Sequence, residues 1–286
     1  MKSLKYFFQF IAIMFLFLIF KVLGLKFASL FSSKVLAFIG PLFRSKNIIE
    51  NNIKKSILNL QQKDVEKIIN NMWKNYGRIL SEYVFIKKFR KFNLKNNFIV
   101  EGQEILENIK KSKEPVIFIS GHFSNFELMA MHIEKSGINL ATVYRPLNNK
   151  YLNFIMEKIR KKYICKNQIK KGISGTKQLL SFFKNNVSIA LMIDQRVSEG
   201  IRSNFFNRGA YTTTIPAQFV KKFGCKIVPI YIERIEGVKF KLSIFDPLIY
   251  AKDDSTEAIT LRLNNIIEKM ILKNPGQWIW SHNRWK

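Results

Sequence analysis

The chain has 286 residues, 47% of them hydrophobic and 26 of them Phe; that is enough apolar surface for a sizeable core, and it excludes an intrinsically disordered chain. Cys165 and Cys225 stand far apart with no C-x-x-C, which excludes a disulfide scaffold and fits a reducing compartment, and His122, His132 and His282 match no zinc spacing, so no metal is expected. The 48 basic residues against 20 acidic ones leave a formal charge of +28, a surplus that implies an acidic partner: nucleic acid, an anionic membrane face, an acidic protein or a phosphorylated substrate.

No acid precedes Glu50. Tyr6 to Phe20 is apolar except for Gln9, with Lys2 and Lys5 before it and Lys21 and Lys26 after it. The run alone is short of the roughly 20 residues a spanning helix needs. If Lys21 snorkels, the apolar stretch continues through Leu25 and suffices. A signal peptide and a buried core helix are the competing readings, but no A-x-A cleavage site follows the run. Residues 1–25 are therefore expected to be an uncleaved membrane anchor, and residues 26–286 one folded domain. Residues 26–49 stay apolar with Lys34, Arg44 and Lys46 interspersed, as in an interfacial segment. The basic excess downstream of the run places the domain on the cytoplasmic side.

Residues 50–92 read as helical. From about Asn97 short β runs alternate with helices. Strands are expected at Val116–Ser120, Leu140–Tyr144 and Ser188–Ile193, and helices over Phe123–Lys135, Lys150–Tyr163, Thr176–Lys184 and Ile215–Phe223. Lys226–Glu233 and Lys239–Phe245 read as strands joined through Glu236-Gly237, and Thr256–Leu272 as a long amphipathic helix. Strands separated by helices predict an α/β fold, a central sheet flanked by helices, and the adjacent pair, read as a hairpin, makes that sheet mixed.

Three polar clusters follow three of these strands, where an open α/β sheet binds its ligands. Gly121-His122-Phe123-Ser124-Asn125-Phe126-Glu127 supplies a histidine suited to take a proton from a hydroxyl. On one helix His122 and Glu127 would lie about 140° apart. They form a base and its orienter only if His122 sits in the turn and Glu127 folds back on the imidazole. Ser124-x-x-Glu127 also reads as a capping box, with no chemistry attached. Arg145 in Tyr144-Arg145-Pro146-Leu147-Asn148 is suited to a forked grip on phosphate or carboxylate, or is a surface cation. Asp194-Gln195-Arg196 is either a third polar contribution or a buried Asp–Arg pair. No G-x-S-x-G, Walker A or G-x-G-x-x-G occurs, so neither a serine elbow nor a nucleotide cofactor has a positive signal. Trp278, Trp280 and Trp285 read as an interfacial anchor or as core. His282 reads as structural and His132 as a helix-face residue.

Taken in order, these blocks resemble a known family. His122-x4-Glu127, Tyr144-Arg145-Pro146-x-Asn148, Asp194-Gln195, Phe205-Phe206 and Ala210-x-Thr212-Thr213 precede a closing Pro275-x-Gln277-Trp278-x-Trp280-x-His282-x-Arg284-Trp285-Lys286. Together they look like the bacterial lipid A biosynthesis (lauroyl/myristoyl) acyltransferases, over nearly the whole chain. Glycerol-phosphate acyltransferases share an H-x4-D motif, but their Pro-Glu-Gly block is absent here. The resemblance implies transfer of a fatty acyl chain from acyl carrier protein to a hydroxyl of a Kdo-linked lipid A precursor, at the cytoplasmic face of the inner membrane. It implies His122 as general base supported by Glu127, with Arg145, Asn148, Asp194, Gln195 and Arg196 gripping the glycolipid or the thioester, and no cofactor. The partners expected are acyl carrier protein, a phosphorylated glycolipid and anionic lipids, and no nucleic acid. Another membrane-lipid acceptor is the alternative within enzymes. A basic, membrane-tethered binding protein without chemistry is the alternative outside them.

Overall fold

The computed structural model describes residues 2–91, 97–251 and 253–286. Helix α1 (Lys2–Ile39) contains the whole apolar run and bends at Gly24, whose φ of 73° and ψ of 163° break the helical path. It is long and apolar enough to cross a membrane. Beyond the bend, Ala28, Ser29, Ser32 and Ser33 are buried against α3 (Gln62–Glu82). The approach is close: Ser32 Oγ donates to the Gly77 carbonyl at 2.6 Å, and a Cβ at Gly77 would lie 2.1 Å from the Ser32 backbone carbonyl oxygen. Residues 26–49 are thus not wholly an interfacial segment. Small residues seat one face on the domain, while Phe27, Leu30, Phe31 and Phe38 stay exposed.

Helices α2 (Lys46–Ser56), α3 and α4 (Ile86–Lys91) realise the helical stretch expected from residue 50; residue 92 lies outside the described residues. The remaining elements are β1 (Phe98–Glu101), α5 (Gln103–Ser112), β2 (Ile117–Ser120), α6 (Glu127–Lys135), β3 (Leu140–Tyr144), α7 (Lys150–Tyr163), β4 (Asn167–Lys170), α8 (Ile173–Lys184), β5 (Ser188–Met192), β6 (Ile201–Phe205), β7 (Arg208–Thr212), α9 (Ile215–Phe223), β8 (Ile227–Glu236), β9 (Lys239–Ile244) and α10 (Thr256–Lys273). Among the described residues, seven strands form one sheet in the order β1-β9-β8-β2-β5-β3-β4. β8, β2, β5, β3 and β4 are mutually parallel, and β9 runs antiparallel to β8. The fold is therefore α/β with a mixed central sheet flanked by helices, as the alternation of elements predicts. β2 is buried at every position, as a central parallel strand covered on both faces must be.

Two expectations give way. The helix after β2 starts at Glu127 rather than Phe123, because Ser124 adopts a left-handed φ of 44° and leaves residues 121–126 as a loop. The capping box does not form: the helix has no side-chain cap, and the buried Ser124 hydroxyl has no partner. The β6–β7 hairpin was not expected from the sequence. It turns on Phe206 and Asn207, both left-handed, and rests on α10, where Asn264 donates to the Asn204 carbonyl at 2.8 Å.

Trp278 and Trp280 are core and not an interfacial anchor, at 2% and 0% exposed, and the half-buried Trp285 packs against that core. Arg284, as buried as Trp280, donates to the Tyr211 carbonyl and the Thr212 hydroxyl, tying the chain's last turn to the hairpin.

Candidate active site

The parallel register of β2 and β5 sets Ser120 beside Met192. Two residues further along each strand, His122 and Asp194 arrive opposite one another. Gly121 makes the approach possible, since a Cβ there would lie 2.9 Å from the Phe123 ring and 3.2 Å from the Asp194 Cβ. Asp194 accepts from the His122 ring (Nδ1 to Oδ1, 2.8 Å), from the His122 amide (to Oδ2, 2.8 Å) and from the Trp278 indole (to Oδ2, 2.8 Å). Burial alone would raise the pKa of this carboxyl, but the facing imidazole and the three hydrogen bonds hold it down to about 2. An ionised carboxylate only accepts, so the shared proton resides on Nδ1 and the Nε2 lone pair is left for the pocket. Burial disfavours the imidazolium, yet the charge and hydrogen bond of Asp194 prevail and raise the His122 pKa above its ordinary value, with Glu127 adding to the effect.

His122 opens onto a cavity of about 360 Å³. Phe118, Ala130, Ile133, Ile164 and Leu191 give it apolar walls, while Arg145, Arg160, Lys171 and Arg196 supply cations. Such a combination accommodates an apolar chain with an anionic or strongly polar head.

Glu127 also lines this cavity, but it does not bond the imidazole. Its Oε1 accepts from Arg160 Nε at 2.8 Å and Nη2 at 2.5 Å. The expected place of Glu127 beside the ring is taken by Asp194, because α6 begins only at Glu127 and the neighbouring strand end reaches the ring first. Asp194, expected to grip substrate, is 1% exposed, and its hydrogen bonds run to His122 and Trp278. It is not paired with Arg196, an exposed residue whose guanidinium lies 5.6 Å from the Tyr211 ring centre. Arg145, Gln195 and Arg196 all line the cavity.

Asn148 does not line it and is exposed. The polar group fixed in that segment is the next residue, Asn149, whose Oδ1 accepts from the amides of Tyr151 and Leu152 and so caps α7. His132 is buried, bonded to Gln103 at 2.9 Å, with its pKa lowered to about 4 by burial and by Lys135.

Arg160, Lys171, Trp278 and His282 were not singled out as site residues by the sequence. Arg160 and Lys171 stand in lysine-rich stretches where nothing marks one cation from another. His282 lines the cavity and accepts from the Arg196 amide through Nε2 at 3.3 Å, and burial lowers its pKa. Among the described residues no three His, Cys, Asp or Glu side chains cluster as metal ligands.

Known proteins extend this picture. The family profile described as bacterial lipid A biosynthesis acyltransferase matches residues 1–286. The chain is 25% identical over 195 residues to the lipid A biosynthesis lauroyltransferase of Escherichia coli K12, covering 65% of this chain and 61% of that protein, less than two thirds of its length. It is 22% identical over 247 residues to the palmitoleoyltransferase of the same organism, covering 85% and 79%. The myristoyltransferase gives 24% over 191 residues, 63% and 56%. Identities this low leave the family rather than the individual activity as the result. Because the profile match extends over all the residues that build the sheet and its polar edge, the chain belongs to the bacterial lipid A biosynthesis acyltransferases.

Proposed function

We propose that the protein transfers a fatty acyl group from acyl carrier protein thioester to a hydroxyl of a Kdo-linked lipid A precursor, at the cytoplasmic face of the inner membrane. The observation that carries this reading is the 2.8 Å bond between Asp194 and His122 Nδ1, which leaves Nε2 at a cavity with apolar walls and a cationic rim. The apolar walls suit an acyl chain, and the lauroyl, palmitoleoyl and myristoyl activities in the relatives' names are of that kind. The cationic rim suits phosphates on the acceptor, and the +28 charge suits an acidic carrier and anionic headgroups at once.

In the proposed step Nε2 takes the proton of the acceptor hydroxyl as its oxygen attacks the thioester carbonyl. Asp194 keeps the imidazole in the productive tautomer and stabilises the imidazolium. As the tetrahedral intermediate collapses the carbon–sulfur bond breaks, and the departing thiolate recovers the proton from Nε2. Glu127 takes part through Arg160: it holds that guanidinium on the cavity wall and adds negative potential at His122. Arg145, Gln195 and Arg196 grip the acceptor or the thioester from the rim.

The test is a membrane-fraction assay with radiolabelled acyl carrier protein thioester and a Kdo-linked tetraacyl disaccharide, comparing wild type with His122→Ala. Label reaching the glycolipid with wild type alone supports the reaction and the base. Equal transfer by both proteins overturns the role of His122. If wild type transfers nothing, offering a membrane lipid extract separates a different acceptor from a basic protein that only binds.

A further inference from the structure

The first half of α1 is apolar on every side, which places such a helix inside a protein or in lipid. Its two faces nevertheless have different surroundings. Tyr6, Phe10, Ile13, Phe17 and Phe20 recur every three to four residues and are half-buried or, for Phe20, 1% exposed. Phe8, Ile11, Phe15, Leu18 and Val22 recur with the same period on the opposite face, and all five are exposed.

The helix is fastened to the domain at both ends. Near its start, Asn149 Nδ2 donates to the Tyr6 carbonyl at 2.8 Å, and the Tyr151 ring packs against Phe7 and Phe10 at 6.0 and 5.8 Å. Beyond the Gly24 bend, Leu25 is buried, Ser29 donates to Glu82 at 3.0 Å, and Ser32 donates to Gly77. Up to the Gly24 bend the fastenings at Tyr6 and Leu25 are separated by about 28 Å of helix at 1.5 Å per residue, close to the roughly 30 Å thickness of the hydrocarbon core. A helix crossing the bilayer would leave them on opposite sides. Asn149 and Glu82 belong to one domain built around one sheet, which cannot lie on both.

We infer that α1 lies along the membrane surface without crossing it, seated on the domain by one face and immersed in anionic lipid by the other. This arrangement gives each face of an all-apolar helix an apolar environment. The cations of the segment, Lys2, Lys5, Lys21, Lys26 and Lys34, are all exposed, and with no acid before Glu50 they suit anionic headgroups. Exposed Leu147 and Phe154 extend the apolar surface onto α7 and the turn before it. Since Asn149 follows Arg145 by four residues, the cavity rim lies beside the same lipid plane. A lipid whose chains remain in the bilayer reaches that rim with its headgroup.

The inference stands on the contacts of α1 and is independent of the reaction. It is tested on the full chain in sealed inner-membrane vesicles, in a Cys165→Ser/Cys225→Ser background carrying Lys5→Cys or Lys34→Cys. A membrane-impermeant maleimide applied to one side at a time reads where each site lies. Both sites labelled from the side that carries the domain is the expected result. Lys5→Cys labelled only from the opposite side, or from neither side while Lys34→Cys reacts, overturns it. A second reading uses Tyr6→Cys/Asn149→Cys and a short bismaleimide: cross-linking in intact membranes is expected, and its absence with the folded protein present counts against the seated helix.

Discussion

Two acid–base pairs, Glu82–Arg234 and Asp194–His122, meet the loop of residues 121–126, and they differ in what their basic partners can do. Glu82 is 0% and Arg234 8% exposed. Glu82 accepts from Arg234 Nη1 and Nη2 at 2.6 and 2.9 Å, from Asn125 at 3.0 Å and from Ser29 at 3.0 Å. Asp194 is almost as deeply buried, at 1%, and accepts three hydrogen bonds. The distinction is that a guanidinium does not release its proton, whereas an imidazole does near neutral pH. Arg234 is also enclosed, stacked 4.5 Å from the Phe240 ring centre, while His122 opens to the cavity. What separates the two pairs is thus not burial but a proton-labile group lining a cavity, which only the second pair has. The first pair is a clamp joining α1, α3, β8 and the loop, and the second is the proposed chemistry.

Removing the labile group gives the largest effect on activity. His122→Ala is expected to lower the transfer rate by about 10² to 10⁴, the usual worth of a general base; unchanged turnover would sink the assignment. Breaking the clamp instead strikes stability. Glu82→Ala strands the Arg234 charge in the interior and is expected to destabilise by about 3–5 kcal/mol, read as a lower urea midpoint. If Glu82→Ala lowers the rate while leaving the midpoint unmoved, the two pairs are not separable in the way their geometry suggests.

The sequence disclosed the strands that carry the site more readily than the partnership within it. VIFIS and SIALMI are apolar runs followed by glycine or aspartate, and periodicity finds them. That His122 meets Asp194, 72 residues away in sequence, depends on β2 pairing with β5, with α6, β3, α7, β4 and α8 between. Local spacing favours Glu127 for the same reason that it misses Asp194: it sees neighbours along the chain and not across a sheet. Arg160 is hidden among Lys158, Lys161 and Lys162, because sequence does not show which cation of a helix turns inward. The β6–β7 hairpin escaped because its two turn residues, Phe206 and Asn207, include no glycine to mark a left-handed turn. Strand β4 escaped because, of its four residues, only Ile169 is buried.

The sharpest use of the comparison lies in the two acids near His122. Asp194→Asn keeps the shape but removes the charge and allows the wrong tautomer, and a loss of about 10² in kcat is expected. Glu127→Gln is expected to cost less, since Glu127 reaches the ring only through space.

The pH profile separates their roles. In the proposed step His122 acts in its neutral form, so the acid limb of kcat/KM is expected to follow its pKa, which Asp194 holds above the ordinary value. With asparagine at 194 the raising influence disappears while the burial that opposes it remains, so the limb moves to lower pH. Glu127→Gln moves it the same way by a smaller step, because its charge ranks behind that of Asp194. Stability follows the same signs. The Asp194 contribution is present above the unfolded carboxyl value and is lost as pH falls toward about 2. The His122 contribution is full below the ordinary histidine value and is lost as pH rises through the raised one. A larger shift of the acid limb in Glu127→Gln than in Asp194→Asn would reverse the ranking and make Glu127 the electrostatic partner of His122.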